Sequence, residues 1–196
     1  MLRSLVLVAC LLALPHPAAA HVTGVASGFG AGFLHPLLGP DHLVAMVAVG
    51  LWGAQLGAPA IWVLPVAFPL VMAAGGVIGV SGADIPYPEQ MIALSGLALG
   101  LMVAFRVRIA FWAAAAVVAV FALFHGYSHG REMPQAADAA SFAIGFVVAT
   151  GLLHLLGIGI GAADRSAAGK LAIRGLGAAI AAVGCFFVAS TFGIAA

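Results

Sequence analysis

The sequence predicts an all-α, polytopic membrane protein, and three observations lead to that fold class. The 196 residues are 64% hydrophobic and only 7% charged, with a mean hydropathy of +1.21, more apolar surface than a soluble domain of this size can bury. The apolar residues fall in long runs separated by short polar breaks. The 26 glycines and 10 prolines would break ordinary soluble helices, whereas between packed membrane helices the freed backbone groups find new partners. A net charge of +1 offers no footprint for nucleic acid, so the expected partners are membrane lipid and whatever enters the bilayer.

Residues 1–20 read as a secretory leader. Arg3 supplies the positive start, Leu5 to Leu14 the short apolar stretch, Pro15-His16-Pro17 the helix end and Ala18-Ala19-Ala20 the cleavage site. Leu7-Val8-Ala9-Cys10 superficially matches a lipoprotein box, but little apolar sequence precedes Cys10 and a long apolar stretch follows it. The expected organisation is a signal peptide over 1–20 and a single transmembrane helical domain over 21–196. With Cys10 in the leader and Cys185 in the last apolar run, the mature domain has no cysteine pair. Cleavage after Ala20 makes His21 the N-terminal residue, whose α-amine and imidazole together can chelate a divalent cation; alternatively His21 only flanks the cleavage site.

From Val22 to Ala54 the chain is apolar throughout. A continuous helix of that length would measure roughly 50 Å against a hydrocarbon core of about 30 Å, so it must break. Pro36 and Pro40 each remove an N–H donor and clash with the carbonyl four residues back. Gly24, Gly28 and Gly32 form a small-residue face upstream. Downstream, Pro40 suits a first helical position, and Asp41 in the first turn is favoured by the helix dipole. A spanning helix from near Gly39 to near Gly53 is therefore expected, preceded by a broken Gly/Pro-containing arm that is re-entrant or interfacial. Further spans at about 60–80, 88–105, 109–129, 137–161 and 170–193 bring the expected number to six.

The loops orient the helices. Asp84 and Glu89 fall in the second loop, and Arg131, Glu132 and Asp138 in or beside the fourth. Arg106 and Arg108 make up the third, and Arg165, Lys170 and Arg174 flank the fifth. The alternation of excess basic charge places the mature N-terminus outside, as a cleaved leader also does. The expected location is the bacterial inner membrane, with both mature termini periplasmic.

Seven histidines against six carboxylates is an unusual balance for so apolar a chain, and their placement points to metal or proton chemistry. A charge at bilayer depth costs about 2.5–3.5 kcal/mol on insertion scales, so Asp41 needs a partner. His35 and His42 lie nearest in sequence, and backbone carbonyls freed by the break can join them. Met46 lies one turn below His42 and offers a thioether or simple core packing. His125 and His129 stand four residues apart on one helical face, with Glu132 following, at the end of the fourth span. That spacing lets two imidazoles hold one ion; the other reading is a pair of interfacial side chains. His154 lies deep in the fifth span, as an inner station, a proton-handling group or a donor to a carbonyl. A set of imidazole nitrogen and carboxylate oxygen without thiolate suits nickel, zinc, copper or iron rather than magnesium or calcium.

His35-Pro-x-x-Gly-x-Asp-His42 followed by Leu43-Val-Ala-Met46, then Phe124-His-Gly-x-x-His-Gly130 and a histidine-bearing fifth span, resembles the HupE/UreJ family. These are small bacterial inner-membrane proteins associated with hydrogenase and urease gene clusters and taken to be nickel or cobalt permeases. The resemblance covers essentially the whole mature chain. It implies that His35, Asp41 and His42 bind metal, with His125, His129 and Glu132 matching the second motif. The larger nickel/cobalt transporter family is similar, but has four residues between the histidine and the Asp-His pair where this chain has five.

The expected function is a secondary transporter, not an enzyme, passing a divalent transition metal into the cytoplasm. The substrate implied by the resemblance is Ni2+, with Co2+ as alternative, and there is no organic cofactor. Cytoplasmic metallochaperones of hydrogenase or urease maturation would receive it. No nucleotide-binding loop is present. The alternative is an intramembrane zinc-dependent hydrolase using the same His/Asp cluster, with Ser128 and Glu132 as its nearest further groups. A bis-histidine haem protein ranks lower, because no c-type attachment motif occurs.

Overall fold

A computed structural model of the chain describes residues 28–132 and 139–194. The leader, His21, Gly24 and Asp138 lie outside the described residues. Among the described residues there are seven α-helices, one 3-10 turn and no strand. They are α1 (Phe29–Leu38), α2 (Pro40–Leu56), α3 (Ala60–Val80), α4 (Pro88–Ala104), α5 (Phe111–Glu132), α6 (Ala139–Gly161), the 3-10 turn Ala162–Arg165, and α7 (Ala167–Thr191).

The expected break is present, but one of its two prolines does not make it. Pro36 sits inside α1, which continues to Leu38. The chain turns instead at Gly39, which is extended (φ −89°, ψ 103°), and α1 and α2 meet there at 82°. Pro36, the eighth of ten residues, leaves the Gly32 carbonyl without its i+4 donor yet does not end the helix. Pro40, by contrast, disfavours the helical region for the residue before it and is preorganised to open α2.

Four helices, α3, α5, α6 with its 3-10 extension, and α7, are long and apolar enough to cross a membrane. The bent α1–α2 pair meets the same requirement when its two parts are taken together. The remaining expected span is α4, whose 17 residues reach about 25 Å. The described helices therefore provide four clear spans, or five with the bent pair.

Helix α2 stands at the centre, buried from His42 to Gln55 on almost every side and packed against α3, α4 and α6. An apolar helix without a polar face is what a buried post requires. The outer helices turn large apolar side chains outward, among them Leu70, Leu155 and Phe186. Trp62 and Trp112, exposed near the starts of α3 and α5, are of the type that anchors at the membrane interface.

Small residues bring the helices together. A Cβ on Gly126 of α5 would collide with the Met72 carbonyl of α3, and one on Gly75 would meet the Leu123 carbonyl. Gly50 of α2 approaches the His154 carbonyl of α6, while Gly184 of α7 approaches the backbone of Gly96 and Leu97 in α4. These contacts set α3 parallel to α5 and α2 parallel to α6, with α4 antiparallel to α7. Without a hydrophobic driving force between helices in lipid, such backbone proximity is the main source of association. Gly32 also packs against the Phe142 backbone of α6, whereas Gly28 of the expected small-residue face stands outside the helix as the N-cap of α1 (φ 66°).

The two ends of the bundle differ. At one end Asp84, Glu89, Ser128 and Glu132 surround a cavity of about 250 Å³. There the Tyr127 hydroxyl donates to the Ala83 carbonyl (3.0 Å) and accepts from the Ile85 amide (3.1 Å), fastening the α3–α4 loop onto α5. At the other end Arg106 pairs with Asp164. Trp52 Nε1 donates to the Val107 carbonyl at 2.9 Å and Gln55 Nε2 to the Val103 carbonyl at 3.2 Å, closing that end around α2.

Candidate metal centre

The bend at Gly39 places His35, on the last turn of α1, against His42, on the first turn of α2; their ring centroids are 5.8 Å apart. A straight helix would have separated them by two turns, about 10 Å along its axis. Helix α5 contributes His129, whose ring lies 4.7 Å from both. One nitrogen from each of His35, His42 and His129 falls within 4.8 Å of the other two. The two histidine motifs, some ninety residues apart in sequence, thus converge.

Asp41 orients this group through His42. Its Oδ1 accepts from His42 Nδ1 at 2.8 Å and from the His42 amide at 2.9 Å. Because an ionised carboxylate only accepts, Nδ1 carries a proton, and in the neutral imidazole Nε2 keeps its lone pair. That Nε2 is buried and unpartnered. Gly39 makes room for the pair, since a Cβ there would stand 3.2 Å from both Asp41 Oδ1 and His42 Nδ1.

His125 lies one turn before His129 on α5, with its ring 5.1 Å from that of His42. Its Nδ1 donates to the Phe121 carbonyl at 2.9 Å, which leaves Nε2 as a second buried, unpartnered lone pair. Both ring nitrogens of His129 are likewise buried without a partner. Buried polar atoms are normally hydrogen-bonded, and leaving one unpaired costs about 1–3 kcal/mol. Several in one place make this group the candidate site.

The other candidates take separate places. Met46 is fully buried within the hydrophobic core. Glu132 is exposed and lines the acidic cavity, not the imidazole group. His154 is fully buried on α6, its ring nitrogens unpartnered and its ring 5.4 Å from that of Phe68.

Three residues with a place at the site had no part in its expected membership. Phe146 packs its ring 4.4 Å from His129 and 5.8 Å from His35, forming the α6 wall. Phe68 lies against His125 as well as His154. Glu89 accepts from Ser128 Oγ at 3.0 Å and shares the cavity with Glu132. For Glu89 a signal existed: Pro88-Glu89 repeats the helix-opening pattern of Pro40-Asp41.

The family model described as HupE / UreJ protein matches residues 7–187. The chain is 48% identical over 173 residues to Protein HupE of Rhizobium leguminosarum bv. viciae, a match covering 88% of this chain and 91% of that protein. No solved structure matches it. A family match along nearly its whole length, together with a relative so similar across both chains, means that this protein belongs to the HupE/UreJ family.

Proposed function

We propose that this protein is a secondary transporter that carries a divalent transition metal, Ni2+ foremost and Co2+ as the alternative, into the cytoplasm across the bacterial inner membrane. The observation that carries the reading is the trio His35, His42 and His129, with ligand nitrogens within 4.8 Å at one end of the bundle. Metal–imidazole bonds of about 2.0–2.1 Å allow at most about 4.2 Å between two ligands, so small rotations of the rings would close them round an ion. Three imidazoles leave coordination positions for water, which suits a site that must release its cargo. The acidic cavity beside the trio, with Glu89 and Glu132, attracts cations toward it.

In this reading the acidic end faces the periplasm, both mature termini lie on that side, and the arginine-rich end faces the cytoplasm. The membrane potential drives entry: about 2.3 kcal/mol per charge per 100 mV, twice that for a divalent cation. Metallochaperones of hydrogenase or urease maturation would receive the metal inside. The hydrolase alternative gains little, because the Ser128 hydroxyl donates to Glu89 instead of to an imidazole.

The test is radiometal uptake by the purified protein in proteoliposomes under an imposed inside-negative potential. Ni2+ accumulation above that of empty liposomes, lost in a His35/His42/His129 triple alanine variant, is expected. Uptake equal to empty liposomes, or unchanged in the variant, refutes the reading. Ligating imidazoles must be neutral, so apparent Ni2+ affinity should fall as the pH is lowered, measured by competition binding.

A further inference from the structure

Beyond the imidazole trio, a line of buried rings continues into the bundle. His125 lies beside His42, Phe68 beside His125 and His154 beside Phe68, with centroid separations of 5.1, 5.4 and 5.4 Å. All three inner rings are fully buried. His125 Nε2 and both nitrogens of His154 have no partner. Two imidazoles are therefore held apart by a hydrocarbon ring that offers a metal cation no lone pair to coordinate.

The helix that carries this ring is weakened at its position. Pro65 and Pro69 flank Phe68 within α3, and neither has an N–H, so the carbonyls of Ile61 and Pro65 lose their usual i+4 donors. Prolines of this kind are the common cause of kinks in long helices. Further along, α3 is tied to α5 by the Gly75 and Gly79 contacts, so bending at the prolines would displace Phe68 relative to the rest. The Pro65 carbonyl, left without its helical donor, belongs to the same segment as the ring and faces His154.

We propose that Phe68 is the plug of the permeation path, separating the entry group of His35, His42, His129 and His125 from a second cation station formed by His154 and the Pro65 carbonyl. This rests on the transport reading. Bending of α3 at Pro65 and Pro69 withdraws the ring, and the cation passes from one imidazole set to the other. With the ring in place, the path is closed to water and protons as well.

The experiment compares wild type, Phe68→Ala and Phe68→Trp in proteoliposomes, reading Ni2+ binding, Ni2+ flux and proton leak under an imposed pH gradient. Phe68→Ala should keep Ni2+ binding close to wild type while raising proton leak at least about tenfold, equivalent to about 1.4 kcal/mol off the barrier. Phe68→Trp should bind Ni2+ normally and move it more slowly. Normal binding with wild-type leak and flux in Phe68→Ala overturns the plug. If Phe68→Ala does not fold, wild-type flux in Phe68→Trp overturns it. Proton leak is read without metal, so a wild type that neither binds nor carries Ni2+ defeats the transport reading while the leak still decides whether Phe68 seals the bundle.

Discussion

At the scale of single residues, the candidate centre depends on how one carboxylate sets one imidazole. Asp41 Oδ1 accepts from His42 Nδ1, which in the neutral imidazole leaves Nε2 as the nitrogen with a free lone pair. Removal of such an orienting partner typically costs 10–100-fold in metal affinity. Asp41→Asn should therefore weaken Ni2+ binding by about that factor, and His129→Ala, which deletes a ligand, should weaken it further; isothermal titration on purified protein checks the order. Gly39→Ala should act like a mild Asp41→Asn, because its Cβ would crowd both members of the pair. Asp41, which family resemblance implies is a metal-binding residue, is held in the structure by hydrogen bonds from His42. Neither spacing nor composition reveals which atom a carboxylate will face.

At the scale of elements, the break between α1 and α2 and the glycine seams bring the site together. A bend of 82° turns two histidines seven residues apart into neighbours. The parallel α3–α5 seam holds His125 and His129 at the depth of His42. Gly126→Ala places a methyl group on the Met72 carbonyl and should cost about 1–3 kcal/mol by overpacking, seen as a lower unfolding temperature in detergent. Gly159→Ala on α6, where nothing lies within 4 Å, should be neutral or slightly stabilising in the same assay. The need for a break was legible because about 50 Å of helix does not fit about 30 Å of hydrocarbon. Its place near Gly39 was legible as well, since Pro40 suits a first helical position; that Pro36 stays inside α1 was not.

For the whole molecule, the bundle is polarised between an acidic, histidine-bearing end and an arginine-bearing end. Orientation in the membrane can be checked by cysteine labelling, with both native cysteines replaced by serine. In intact spheroplasts an impermeant maleimide should label Ser81→Cys and spare Ser166→Cys, both exposed positions at opposite ends of the bundle. The reverse pattern would invert the direction of the proposed transport. The short α4, paired with α7 through Gly96, Gly100 and Gly184, reaches less far than a full span, so it sits within the protein as much as within lipid.

Composition and hydropathy alone determined that this is an all-helical membrane protein, because apolar runs of spanning length leave the backbone no other way to satisfy its hydrogen bonds. The same sequence named every imidazole of the centre, since ionisable side chains are rare enough in such runs to stand out. The tertiary structure alone decided which of them meet: His129 joins His35 and His42, His125 stands one turn behind, and His154 waits beyond Phe68. Helix-to-helix register is set by where glycines let backbones touch. That depends on pairs of residues from distant parts of the chain, and no local pattern contains it.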